Sequence, residues 1–151
     1  MVEKRLKELG IELPVAPTPA FQYVPVTVHE RMAFVSGQLP RRGEEIVTGK
    51  VGGEVGLEGG REAARLCVLQ GLACLRQHLG ALDRVERILK VTGFVASAPG
   101  FHQQPKVIDA ASELLGEVFG EAGRHARSAI GVAELPRNAS VEIELVVSLK
   151  P

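Results

Sequence analysis

Near the C-terminal end, the stretch RHARSAIGVAELPRNASVEIELVV places Arg127 and Ser128 before a Leu135–Pro136 turn and Glu142 after it. Alternating apolar residues on both sides predict two strands joined by that turn. Glu142 would then come within a few positions of Arg127 across the ladder. Such a pair reads in two ways. One is a plain ion pair on a sheet. The other is a working pair. A free guanidinium fork clamps a carboxylate with two parallel hydrogen bonds, and a carboxylate beside it holds and activates a water.

The other chemistry-bearing residues are sparse. His29 and His78 read as surface residues; His102, in a loop, and His125, just ahead of Arg127, stay open. Cys67 and Cys74 fall on one predicted helix, about 10 Å apart at 1.5 Å per residue, too far for a disulfide. They read as small core residues. No HExxH, GxSxG, phosphate-loop or zinc spacing is present, so no metal site is expected. The glycines from Gly49 to Gly60 read as turn chemistry.

Composition narrows the classes. Apolar residues make up 45% of the 151, enough for a core. Eighteen basic and eighteen acidic residues cancel, which counts against holding nucleic acid or anionic membrane by bulk charge. Aromatics are 4%, too few for a base-stacking platform. No run approaches the roughly 20 apolar residues of a membrane span. The charged start MVEKRLKELG has no apolar signal region, which predicts a cytoplasmic protein.

The elements that must position Arg127 and Glu142 follow from periodicity. A short helix over residues 1–10 leads into a Pro-rich arm, ELPVAPTPAF, so residues 1–20 read as helix and arm of a single domain spanning 1–151. Val24–Val28 and Met32–Ser36 predict a hairpin, and Ile46–Val51 a short strand. Residues 57–79 predict a long helix with a wide apolar arc, capped by Gly80. Val85–Ser97 predicts a strand with Leu89, Val91 and Val95 on one face and Ile88, Phe94 and Ala96 on the other. Residues 105–119 predict an amphipathic helix with Asp109 opposite its apolar stripe, facing solvent or a subunit interface. In the last strand Val141, Ile143, Leu145, Val147 and Leu149 share a face. The result is an α+β class with a mixed sheet and two long helices on one face. The other face still carries Phe94 and Val146, and a second copy of the chain is the simplest cover.

Three segments then point together. VSGQLP at Val35–Pro40, GFVAS at Gly93–Ser97 and ARSAIGVAELPRNASVEIE at Ala126–Glu144 resemble the YjgF-like, or reactive intermediate deaminase (Rid), family, whose members are also labelled endoribonuclease L-PSP or translation inhibitor. The likeness runs from about Tyr23 to Leu149 and is strongest to a longer subgroup with an N-terminal arm. It implies a chorismate-mutase-like fold and a homotrimer with sites in the clefts between subunits. It implies hydrolysis of enamines and imines such as 2-aminoacrylate to 2-keto acids and ammonia, without a cofactor. By the resemblance, Arg127 grips the substrate carboxylate and Glu142 attends the water; Tyr23, Ser36, Gly37, Asp109 and Ser128 line the substrate. Two positions depart from the family: Asp109 stands where Asn is common, and Ala129 where Cys is. A charged Asp109 disfavours a second carboxylate on the substrate. The loop Ala98–Gln104 is longer than in short members and could bring His102 or Gln103 into the cleft. An RNA-directed activity and a non-catalytic keto-acid-binding trimer are the competing expectations.

Overall fold

A computed structural model describes residues 1–18 and 22–151, so the end of the Pro-rich arm at 19–21 lies outside the described residues. The elements in chain order are α1 (Val2–Glu8), β1 (Val26–His29), β2 (Met32–Gln38), β3 (Arg41–Arg42), β4 (Glu45–Ile46), α2 (Leu57–Leu79), β5 (Val85–Ala96), α3 (Gln104–Phe119), β6 (Ala126–Val132) and β7 (Val141–Leu149). Five strands form one sheet in the order β1-β2-β7-β5-β6, and β3 and β4 form a separate ribbon. Only β5 and β6 run parallel, with α3 as their crossover, so the sheet is mixed.

The predicted α+β class, with two long helices over one face of a mixed sheet, is what the chain forms. Helix α2 lies on β2 and β7, and α3 lies on β5, β6 and α2. Their inward residues, among them Val68, Leu72, Leu75, Ile108, Leu114 and Leu115, meet Val91, Val95, Ile143, Leu145 and Val147 with essentially no exposed area. Each fully buried Leu, Ile or Val contributes on the order of 1.5–3 kcal/mol. Both cysteines are free and buried here. Burial pushes Cys67 well above its usual range, helped by the charge of Glu142, and raises Cys74 to about 11. Neither thiol is a nucleophile at neutral pH.

A seven-residue helix is marginal alone. Helix α1 is held by tertiary contacts. Glu3 accepts from Arg76 and from the backbone N–H of Leu82, Arg5 donates to the carbonyl of Glu117, and Leu6 is buried.

Three expectations are corrected. The strand predicted at Ile46–Val51 shrinks to Glu45–Ile46; Thr48 and Val51 make only isolated bridges. Positive φ at Gly49 and Gly52 turns the chain away there. In β5 the pairing slips between Ile88 and Lys90, a bulge that takes up one extra residue. Ile88 therefore joins Val91 in the core, and Leu89 is only partly buried.

The third correction matters most. Strands β6 and β7 are not a hairpin, because β5 lies between them. The connection crosses over through a short 3-10 turn at Pro136–Asn138. Burial decides the order. All five inward residues of β7 are at most 2% exposed and need helix cover along the whole strand, whereas β6, with Ser128 and Gly131, tolerates an edge.

Ahead of β6, Gly123 lies so close to α3 that a Cβ would overlap the carbonyl oxygen of Leu115. Backbone cannot swing aside as a side chain can. Gly123→Ala is expected to cost about 1–3 kcal/mol, lowering the thermal midpoint by about 2–4 °C per kcal/mol. An unchanged melting curve by circular dichroism would contradict this.

Candidate functional site

The expected site residues divide between two surfaces. Arg127 sits on the edge strand β6, paired in register with Val91, which faces the helices. Its guanidinium lies over the N-terminal half of α3. Nη1 donates to Asp109 Oδ1 at 2.8 Å and to Ser112 Oγ at 3.2 Å, and Nη2 makes a long 3.5 Å contact with the carbonyl of Pro105. Asp109 thus pairs with Arg127 of its own chain while staying open to solvent. Its side chain is 48% exposed, so water screens the pair. Among the described residues the Nε–Nη2 edge of the fork has only that long contact. A planar carboxylate fits this edge with two parallel hydrogen bonds.

Glu142 belongs to the opposite, open face. It pairs in register with Phe94, three residues along β5 from the partner of Arg127. An odd number of steps reverses the side. At roughly 3.3 Å per residue and 4.8 Å per strand, the two backbones are about 14 Å apart. The expectation that they approach across a ladder is therefore wrong within one chain, since β5 separates them.

Around Glu142 the sheet is shaped for a carboxylate. The register of β2 slips between Val35 and Gln38, at Ser36 and Gly37. A Cβ at Gly37 would overlap Glu142 Oε2, so the missing side chain is the space the carboxylate occupies. Burial pushes the Glu142 carboxyl above its usual range, and the neighbouring charge of Glu144 adds to the shift. The Ser36 hydroxyl donates to the carbonyl of Val24 at 2.7 Å, tying down the chain that carries Tyr23. Tyr23 and Ser36 border a groove of about 510 Å³ on this face, together with Phe34, Lys90, Thr92 and Glu144. Ser128 pairs with Thr92 and lies on the open face, away from Arg127. In the 98–104 loop, Gln104 donates to Ser97 and to the carbonyl of Phe101, while His102 and Gln103 are exposed.

Arg127 and Asp109 therefore meet on the helix side. Tyr23, Ser36, Gly37, Glu142 and Ser128 lie on the open side. Ser112 was not anticipated as a partner of Arg127. It stands one helical turn after Asp109, a spacing that places both on one face of α3. No group of acidic, histidine and cysteine residues arranged to hold a metal occurs among the described residues.

The pattern of family relatives decides the assignment. Residues 3–149 match the family described as "YjgF/chorismate mutase-like, putative endoribonuclease". The chain belongs to this family. Protein TCP17 of Trypanosoma cruzi is 44% identical over 98% of this chain and 94% of its own. A 2-iminobutanoate/2-iminopropanoate deaminase of Dermatophagoides farinae is 30% identical over 93% and 95%. The crystal structure of Atu1372 from Agrobacterium tumefaciens, described as of unknown function, shares 48% identity. It superposes with a TM-score of 0.91 over 99% of this chain and 92% of that one. The chorismate-mutase-like fold expected of a YjgF member is thus the fold this chain has. No helix among the described residues is long and apolar enough to cross a membrane.

Proposed function

We propose that the protein hydrolyses small 2-imino and 2-enamino acids to 2-keto acids and ammonia, in a cleft shared by two copies of a homotrimer. The observation that carries the reading is the split site. A carboxylate-binding arginine edge on one border of the sheet and a half-buried glutamate on the open face lie too far apart in one chain. Both meet one small substrate if the border of one copy abuts the open face of the next. That face carries Phe34 at 44% and Ile130 at 45% exposure, apolar area that a neighbouring copy would cover.

The chemistry is short. The Nε–Nη2 edge of Arg127 holds the substrate carboxylate. Glu142 of the neighbouring copy takes a proton from a water as it adds to the imine carbon, forming a carbinolamine. Glu142 passes that proton to the nitrogen. It then takes the carbinolamine hydroxyl proton and delivers it to the nitrogen as the C–N bond breaks, so ammonia leaves and the keto acid remains. A 2-enamino acid first gains a proton from water on its β-carbon and gives up an N–H proton, becoming the imine. The substrate is already electrophilic, so positioning and acid–base help of about 10²–10⁴-fold suffice. Tyr23 and Ser36 border the pocket, and Asp109 sets the charge beside the fork. An RNA-directed role fits less well, because Glu142 and Glu144 put carboxylates on the open face, where phosphates would be repelled.

The test generates 2-aminoacrylate in the cuvette with a serine dehydratase and follows pyruvate release with and without this protein. Acceleration is the expected result; an unchanged rate would move the function to ligand binding. Light scattering is expected to give three times the 16.2 kDa chain mass. A monomer would remove the shared cleft.

Asp109 tempers Arg127. Asp109→Asn removes a negative charge beside the incoming carboxylate while keeping a hydrogen-bond acceptor. KM for 2-imino acids is expected to fall by up to about fivefold, at most about 1 kcal/mol across so exposed a pair, with little change in kcat. A KM that rises would show Asp109 to be needed for Arg127 placement.

A further inference from the structure

On the helix side of the sheet, Ser112 and His125 form a pair that imine hydrolysis does not use. Ser112 comes from α3. His125 immediately precedes β6, two residues before Arg127. Ser112 Oγ lies 2.9 Å from His125 Nε2, and His125 Nδ1 lies 2.6 Å from the carbonyl oxygen of Gly123. A carbonyl oxygen only accepts, so Nδ1 carries the ring proton. In the neutral ring Nε2 is then the acceptor, and the Ser112 hydroxyl donates to it. From the other side Arg127 Nη1 donates to the same Oγ at 3.2 Å.

These are the parts of an activated nucleophile: a hydroxyl, a base locked in one tautomer by a third group, and a cation against the oxygen. Asp109, on the same Nη1, moderates that cation. The pair opens onto a groove of about 400 Å³ lined by Asp109, Ser112, Gly123, Arg124, His125 and Arg127. Arg124 is highly exposed there, with a loose 3.7 Å pair to Glu121. One guanidinium on the hydroxyl and a second lining the groove favour a substrate with negative charge.

We propose that Ser112 is a nucleophilic serine, with His125 as its general base, acting on small acyl esters that carry an anionic group. Ser112 Oγ bonds to the acyl carbon as its proton passes to His125 Nε2. His125 returns that proton to the alcohol as the ester C–O bond breaks. Water, activated by the same imidazole, then splits the acyl-serine to the free acid and regenerates the hydroxyl. All of these groups come from one chain and the step needs no second copy; Arg127 and Asp109 are shared with the imine reading, and a covalent adduct on Ser112 distinguishes the two.

The test incubates the full chain with the 4-nitrophenyl monoester of fumaric acid, whose trans double bond keeps its own carboxylate from reaching the ester. Nitrophenolate release is followed by absorbance, and adducts are mapped by peptide mass spectrometry. Expected is Ser112-dependent release with a fumaryl adduct on Ser112, both lost in Ser112→Ala. In His125→Gln the Ser112-dependent rate is expected to fall by about 10²-fold or more. Superimposable melting curves by circular dichroism show that the three proteins fold alike. The proposal is overturned if wild type shows neither a Ser112 adduct nor Ser112-dependent release. A His125→Gln rate equal to wild type overturns it as well.

Discussion

Arg127→Ala is expected to remove nearly all hydrolysis of 2-aminoacrylate while leaving the fold and the oligomer in place. The open Nε–Nη2 edge offers two charge-assisted hydrogen bonds to a carboxylate, each worth about 1.5–3 kcal/mol. Their loss corresponds to a fall in kcat/KM of about 10²–10⁴-fold. Stability should change little. Arg127 stands on an edge strand, and its Asp109 partner is 48% exposed, so the ion pair contributes at most about 1 kcal/mol. Pyruvate release measured beside a melting curve separates the two effects. Activity within a few-fold of wild type would remove Arg127 from the carboxylate-binding role.

Glu142→Gln carries the second large effect, and it has two opposite signs. Glutamine keeps the shape of the side chain but cannot accept a proton from water at neutral pH. Hydrolysis is expected to fall by about 10²–10⁴-fold. Stability should move the other way. Burial and Glu144 raise the Glu142 carboxyl in the folded chain above its ordinary value of 4.5. A raised carboxyl favours the folded state only while protonated. Its contribution is complete below about 4.5 and is lost as pH rises through the folded value. At neutral pH the wild type therefore keeps an unfavourable buried charge that the amide lacks. The variant should melt higher than wild type at pH 7, with the gap closing below the ordinary carboxyl value. A variant that melts lower at pH 7 would show that the Glu142 charge is stabilised by its surroundings. A stabilised, inactive variant would be the signature of a strained functional group rather than a structural one.

Much of this was legible in residue order because the signals are local. The 3.6-residue apolar arcs of 57–79 and 105–119, the Gly80 and Gly120 stops and the alternation from Val141 to Leu149 each follow from side-chain spacing along one element. They reappear as α2, α3 and β7 almost residue for residue. The bulges escaped, because an extra residue in a strand leaves no mark until the partner is known. Ile88 and Leu89 exchanged their expected roles for that reason.

By itself, the amino-acid order determined the α+β class and the family, since both rest on residue types at fixed spacing, and it singled out Arg127 and Glu142 as the pair to test. Only the tertiary structure decided how those residues are grouped. Strand order is a competition for cover, and β7, with five inward apolar residues, takes a place between β2 and β5 and leaves β6 at the edge. That one outcome puts Arg127 against Asp109 and Ser112 on the helix side, with His125 on Ser112. It leaves Glu142 beside Gly37 on the open face. A site built from both therefore requires two copies of the chain, a consequence of pairing energetics between distant segments that no local pattern encodes.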